Sequence, residues 1–161
     1  MSIENKNYLI KRLSETHSAL GEILIGLDLG LIIYEDDAWR IRDILGHIAT
    51  WDREVIRALS AYLKGSEYVI PGIAGDETDY NAQKLVEQRN LSIDQIKDEW
   101  NQARDDFKEI VKQIPPDKLS SELEFPWGEE TGSISVLINY MIEHNEEHQN
   151  EIMEALKKTD G

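Results

Sequence analysis

Apolar residues recur at steps of three, four and seven residues through four long segments of this chain, the pattern of helices that bury one face. The pattern predicts long helices over about 3–27, 37–64 and 92–114, and from about 133 onward. No alternating run is long enough to support a sheet. The predicted fold is therefore all-α, a four-helix bundle.

Residues typical of helix ends support these bounds. They are Asp36 or Asp37 as a cap for the second helix, Lys64-Gly65 as its end, Ser92 with Gln95 as a capping box, and Ser133 as a cap for the last helix. A short extra helix is expected over about 79–89, between the second and third long helices. The flanking loops, 66–78 and 115–132, are long enough to cross the bundle. With 161 residues, the whole chain is expected to form one domain.

The composition disfavours several classes of partner. Seventeen basic and 32 acidic residues give a formal charge of −15, which argues against nucleic acid and against anionic membranes. The chain has no cysteine, and its longest apolar run, LGLIIY at 29–34, is too short to span a bilayer. We expect a cytoplasmic protein that acts on a small molecule.

Two histidines stand four residues apart in HNEEH, residues 144–148. On a helix, His144 and His148 differ by about 40° in azimuth and about 6 Å in height, so both imidazoles can reach one ion. They share a stripe with Leu137, Met141 and Ile152, which places them on the core-facing side. Imidazoles buried there need hydrogen bonds or a metal to offset their desolvation.

A third histidine has a similar setting on the second helix. His47 is spaced at three or four residues from Ile44 and Trp51 and adjoins Ile48. Three neutral imidazoles from two helices could hold a divalent ion and leave a position open for chemistry. The alternatives are satisfied core histidines or a polar helix surface. The fourth histidine, His17, lies beside its apolar stripe and is expected at the surface or boundary.

The acidic residues near these histidines have more than one possible role. A zinc protease needs a glutamate next to the first histidine, and Asn145 stands there, so that chemistry is excluded. Glu147 and Glu151 follow the two histidines by three residues and either flank the site or belong to a solvated face. Asp43, one turn before His47, orients that imidazole, caps the helix or is exposed to solvent.

Four aromatic residues could line a substrate pocket between the second and last long helices, rimmed by the two loops. They are Trp39, Trp51, Trp127 and Tyr140. Core or interface packing is the alternative for each.

Three segments in order resemble the DinB/YfiT-like metalloenzyme family. They are WRIRDILGHIATWDREVI at 39–56, TDYNAQ at 78–83 with Asn81, and FPWGEETGSISVLINYMIEHNEEHQNEI at 125–152. The resemblance implies an up-down-down-up bundle with a zinc or nickel site formed by His47, His144 and His148. Relatives of this kind include S-transferases that use low-molecular-weight thiols and maleylpyruvate isomerases.

The chain departs from the family pattern in its last helix. Many members read HExxHxGQ there, whereas this chain reads HNEEHQNE. FPWGEETGS is also similar to a loop of a sister group, the colibactin self-resistance-like proteins, which are thought to act without a metal.

Three hypotheses follow. The leading one is a divalent-metal-dependent enzyme, either a thiol-dependent S-transferase or a hydrolase. The others are a non-catalytic small-molecule binding or sequestration protein and a metal-free hydrolase on the same fold. A homodimer is also plausible, with Ile32, Ile33, Tyr68 and Val69 as candidate exposed apolar residues.

Overall fold

Four long helices dominate the computed structural model, which describes residues 5–36 and 38–160. The helices are α1 (Lys6–Leu24), α2 (Ile41–Leu63), α3 (Thr78–Gln88), α4 (Ile93–Gln113) and α5 (Ile134–Asp160). The strands are β1 (Ile32–Tyr34), β2 (Trp39–Arg40), β3 (Glu122–Glu124) and β4 (Thr131–Ser133), and a single 3₁₀ turn covers Pro116–Lys118. The all-α prediction and the short extra helix, α3, are confirmed.

Two clusters of buried apolar side chains show the direction of each long helix. One cluster joins the start of α1 and α5 to the end of α2 and α4, through residues such as Leu9, Leu137, Leu59 and Val111. The other joins the end of α1 and α5 to the start of α2 and α4, through residues such as Leu24, Ile152, Ile41 and Ile96. Helices α1 and α5 thus run one way and α2 and α4 the other, the up-down-down-up arrangement.

Most of the predicted helix ends are present. Ser92 and Gln95 form the capping box of α4, and the Oγ of Ser133 accepts the N–H of Val136 at 3.2 Å. Gly65 ends α2 with a φ of 78°, a conformation that favours glycine. The predicted start of α2 is wrong: its N-cap is Arg40, whose N–H donates to Asp43 at 2.9 Å. Asp36 lies in a turn, and Asp37 lies outside the described residues.

Two short antiparallel hairpins occupy connections predicted to be irregular. β1 pairs with β2 before α2, and β3 pairs with β4 before α5. Each strand has only two or three residues, too few to give a recognisable alternating pattern. The hairpins matter because they carry Tyr34 and Trp127 to the same region of the bundle.

The two long loops are joined next to that region. The N–H of Ile70 donates to the carbonyl of Pro126 at 2.9 Å, and the N–H of Gly75 donates to that of Trp127 at 2.9 Å. Backbone hydrogen bonds between loops from distant parts of the chain fix their positions relative to the helices.

The apolar residues proposed for a dimer interface do not form one exposed patch. Ile32 is 48% exposed, whereas Ile33, Tyr68 and Val69 are half-buried against the two core clusters. Homodimerisation stays a prediction. Among the described residues, no helix has the length and apolar character that crossing a bilayer requires.

A buried ion pair connects three helices in the middle of the bundle. Arg104 of α4 donates from Nε and Nη2 to the two carboxylate oxygens of Asp52 in α2, at 3.0 and 3.1 Å. Its Nη1 lies 3.2 Å from the carbonyl of Leu13 and 3.3 Å from the hydroxyl of Thr16, both in α1. Arg104 is 1% exposed and Asp52 0%. Burial raises the pKa of Asp52, and the guanidinium opposes that shift.

Removing one partner of this pair should destabilise the protein strongly. Arg104→Met leaves the Asp52 carboxylate buried without its cation, and we expect the free energy of unfolding to fall by about 3–5 kcal/mol. Urea denaturation followed by circular dichroism measures the change. The control is Arg53→Met, which breaks the partly exposed pairs with Glu99 and Asp106 and should cost about 1 kcal/mol or less. Equal losses in the two variants would contradict the prediction.

Candidate metal centre

Three imidazole nitrogens converge between α2 and α5. The Nε2 of His144 lies 3.1 Å from the Nε2 of His47 and 3.0 Å from the Nε2 of His148. The three side chains offer ligand atoms that all lie within 4.8 Å of one another. The structure thus brings together the three histidines that the sequence proposed as ligands.

The donor set fits a divalent transition metal. A neutral imidazole can donate a single N–H, so the His144 Nε2 cannot donate to both neighbours at once. Tetrahedral zinc with Zn–N bonds of about 2.0–2.1 Å holds its ligand nitrogens roughly 3.3 Å apart. The Nε2 of His144 lies close to that distance from each of its two neighbours. Imidazole ligands suit zinc, nickel, copper and iron. The observed geometry is that of a site able to hold such an ion.

Burial keeps the three histidines neutral. It lowers the pKa of His47 to about 3, with a smaller contribution from His148, and the pKa of His148 to about 4. The pKa of His144 lies well below its ordinary value, mainly because of burial and then because of the two other histidines and Arg104. Neutral imidazoles present the lone pairs that metal ligation requires.

Of the three histidines, His148 has the clearest hydrogen bonds to its outer nitrogen, Nδ1. Its Nδ1 lies 2.9 Å from a carboxylate oxygen of Glu151 and 3.3 Å from the hydroxyl of Tyr34. A carboxylate that accepts the Nδ1–H leaves Nε2 free to bind an ion and fixes the ring orientation. Trp39 packs edge-on against His47, with ring centroids 5.4 Å apart. The Nδ1 of His144 is buried and has no hydrogen-bond partner among the described residues.

A cavity of about 420 Å³ opens beside the histidines. It is lined by His47, Trp51, Glu77, Asn81, Trp127, Glu130, Tyr140, Met141, Glu143, His144 and Glu147. Indole and phenol groups in its wall make hydrogen bonds: Trp51 donates to Asn81 at 2.9 Å, and Trp127 and Tyr140 donate to Glu130 at 2.7 and 3.1 Å. The volume suits a small organic molecule.

The remaining proposed site residues divide into two groups. Trp51, Tyr140 and Glu147 line the cavity, and Glu151 contacts His148. Asp43 does not contact the histidines. Its carboxylate accepts the N–H of Arg40 and lies 3.5 Å from Arg89, so the expectation that it orients His47 gives way to the capping alternative. Asp43 sits in the first turn of α2, where N–H groups lack helical partners.

Asn145 faces away from the cavity. It is 0% exposed, and its amide donates to the carbonyl of Thr16 in α1 at 3.0 Å. The position that holds the general base in zinc proteases is therefore part of the bundle core here. On the same helix, Glu146 pairs with Arg12 at 3.1 Å.

The fourth histidine lies apart from the centre. His17 packs on Trp100 with ring centroids 3.9 Å apart, and its Nε2 lies 2.7 Å from the side-chain oxygen of Asn101. It is half-buried, in agreement with the boundary position expected from its helical phase.

Sequence reasoning did not identify several residues of the site. Tyr34 reaches His148 across 114 residues of sequence, and Glu77, Glu130 and Glu143 join the cavity wall from three different elements. Tyr34 and Glu130 stand in hairpins that periodicity does not detect. The acidic character of the two loops is a weak sequence signal for Glu77 and Glu130. The sequence gives no such signal for Tyr34 or Glu143.

Fold and site together define a four-helix bundle with a three-histidine centre beside an aromatic cavity. The family model described as the DinB superfamily matches residues 9–152, and the chain belongs to that superfamily. The match covers α2, which carries His47, and most of α5, which carries His144 and His148. No curated protein and no solved structure gives a significant match to the chain.

The buried neutral histidines should make the metal-free protein less stable in mild acid. Unfolded histidines bind protons below a pH of about 6.5, whereas those of the centre stay neutral to much lower pH. The free energy of unfolding should thus fall as the pH drops from about 6.5 to about 4, by on the order of 3 kcal/mol for each of His47 and His148.

Urea denaturation in the presence of EDTA, repeated at several pH values, measures how the free energy of unfolding changes with pH. The control carries His47→Asn, His144→Asn and His148→Asn together and keeps every carboxylate. It should lose less stability over the same pH range. If the free energy of unfolding of the triple variant falls with pH as steeply as that of the parent, these histidines do not cause the pH dependence.

Proposed function

We propose that this protein is a divalent-metal-dependent enzyme that activates a nucleophile against a small substrate held in the cavity. The convergence of three histidine Nε2 atoms at the edge of that cavity carries the proposal. His47, His144 and His148 would hold the ion. Three protein ligands leave a coordination position open, as in catalytic rather than structural sites.

The bound ion, zinc or nickel in this proposal, would lower the pKa of a coordinated water or thiol so that the nucleophile forms near neutral pH. The protein side chains position the reactants. His47 and His144 line the cavity as well as the centre, so an ion that they hold would adjoin the space where a substrate fits. Trp51, Trp127 and Tyr140 offer apolar surface that excludes water around it.

Glu147 is the candidate proton acceptor. It lies one turn after His144 on α5 and lines the same cavity wall. In a hydrolase it would take the proton that water loses when the new bond to the substrate forms, and would return it to the leaving group. With a low-molecular-weight thiol as cosubstrate, sulfur would form the new bond instead and displace the leaving group.

Metal content tests the proposed centre. Untagged protein loaded with zinc or nickel and freed of excess should retain about one ion per chain. His47→Ala, His144→Ala and His148→Ala should each reduce binding by tenfold or more, because the remaining two imidazoles hold a divalent ion weakly. Plasma mass spectrometry and calorimetric titration give the stoichiometry and affinity. His17→Gln is the matched control and should bind like the parent.

If the three alanine variants retain as much metal as the parent, these histidines do not form the metal site. If the parent retains no ion but binds small molecules with a rise in melting temperature that survives chelation, the binding-protein alternative holds. Turnover that is insensitive to chelators would indicate the metal-free hydrolase.

The role of Glu147 has its own test. Glu147→Gln should leave metal content and melting temperature unchanged and should reduce kcat by about 10²–10⁴-fold. Hydrolysis of activated esters and thiol transfer to an activated aryl halide are suitable first assays. The control is Glu146→Gln, which affects only the ion pair with Arg12. Equal activity in the two variants would exclude Glu147 as the proton acceptor.

A further inference from the structure

We propose that the cavity selects a substrate or cosubstrate that carries a positively charged amine or quaternary ammonium group. This inference deepens the proposed function and rests on it in treating the cavity as the substrate site. Three observations support it: the charge of the lining residues, the arrangement of the aromatic rings, and one carboxylate fixed between two of those rings.

The lining is acidic, and its acids are exposed to solvent at the rim of the cavity. It contains four glutamates and, among the described residues that form it, no lysine or arginine. The glutamates are Glu77, Glu130, Glu143 and Glu147. They come from the turn before α3, the loop between β3 and β4, and α5, so three separate elements place acidic groups around one space. Four carboxylates carry twice the charge of a divalent ion, so the cavity stays negative when the centre is loaded.

Aromatic rings form another part of the lining. The ring centroid of Trp127 is 6.0 Å from that of Tyr140 and 6.2 Å from that of Trp51. All three rings belong to the cavity wall. Aromatic faces attract lysine-like and quaternary ammonium cations within about 6 Å of the ring centroid, and carboxylates at the rim strengthen the attraction. Rings and acids in one small cavity are thus complementary to an organic cation.

Glu130 is exposed to solvent, but two hydrogen bonds hold its carboxylate in place. One carboxylate oxygen accepts the indole N–H of Trp127 at 2.7 Å, and the other accepts the hydroxyl of Tyr140 at 3.1 Å. The turn that carries it is closed by the N–H of Phe125, which donates to the carbonyl of Glu130 at 2.8 Å. A carboxylate positioned between two rings can meet a cation with little loss of side-chain entropy.

The same features disfavour anionic ligands. A thiol with several carboxylates, or a phosphate ester, would meet four like charges in the cavity and no cationic side chain of the lining. A thiol cosubstrate for this site is therefore expected to be an uncharged thiol or an aminothiol.

Three probes of equal size test the charge preference: choline, its uncharged isostere 3,3-dimethylbutan-1-ol, and the anion 3,3-dimethylbutanoate. Indole N–H signals of ¹⁵N-labelled protein report binding at each tryptophan. Choline should shift the signals of Trp51 and Trp127 and leave that of the buried Trp100 unchanged. We expect its Kd to be roughly tenfold lower than that of the alcohol, and the anion should not bind.

Two substitutions test which groups of the cavity produce the preference for choline. Glu130→Gln removes one charge and keeps the shape, and Trp127→Leu removes one ring; each should raise the Kd of choline by roughly threefold to tenfold. The control is Glu154→Gln, an exposed acid further along α5 whose loss should leave the Kd unchanged. If Trp127→Leu does not fold, Glu130→Gln alone decides.

Titrating zinc separately from the probes distinguishes the two proposals. Zinc binding together with equal affinities for the three probes, or with tighter binding of the alcohol or the anion, overturns the cation preference and leaves the proposed function standing. Choline preference in a protein that binds no zinc supports the cation site and overturns the metal centre. The absence of choline binding in both zinc-loaded and zinc-free protein also overturns the inference.

Discussion

The buried pair of Arg104 and Asp52 is the interaction on which the rest of the structure depends. It joins α4 to α2 through two hydrogen bonds and reaches α1 through Leu13 and Thr16. A charge this deep is tolerated only when its partners are in place, which favours one register of these helices over all slipped ones. The carbonyl of Thr16 also accepts the amide of Asn145 in α5, so the fourth long helix is tied to the same network.

This network and the candidate metal centre are physically coupled. Asn145 directs one side of α5 toward α1, and the residue before it, His144, then faces α2 and His47. The Arg104 guanidinium also contributes to the lowered pKa of His144, after burial and the two other histidines. The helix that carries two of the three histidines is thus oriented by polar contacts on its other face. An asparagine where zinc proteases have a glutamate serves the core of this bundle.

The loops contribute to the chemical character of the cavity together with the helices. The helices supply the histidines, Trp51, Tyr140 and two acids, whereas Trp127 and Glu130 come from the hairpin before α5 and Glu77 from the turn before α3. Hydrogen bonds between the two long loops hold these groups in position. The proposed cation preference therefore depends on groups from both loops and on the acids of α5.

The sequence by itself determined the helices, most of their caps, the core stripes and the three histidines, because each is a local pattern of helical period or spacing. Family resemblance added the topology. Only the tertiary structure decided that Asp43 caps α2, that Tyr34 meets His148, and that four glutamates share one cavity. The cap is a local contact of Arg40 with Asp43, but the other two features join residues far apart in the chain. Tyr34 and Glu130 also stand in hairpins whose strands have only two or three residues. Periodicity constrains which face of a helix is buried, but it carries no information on which loop side chain will lie opposite that face.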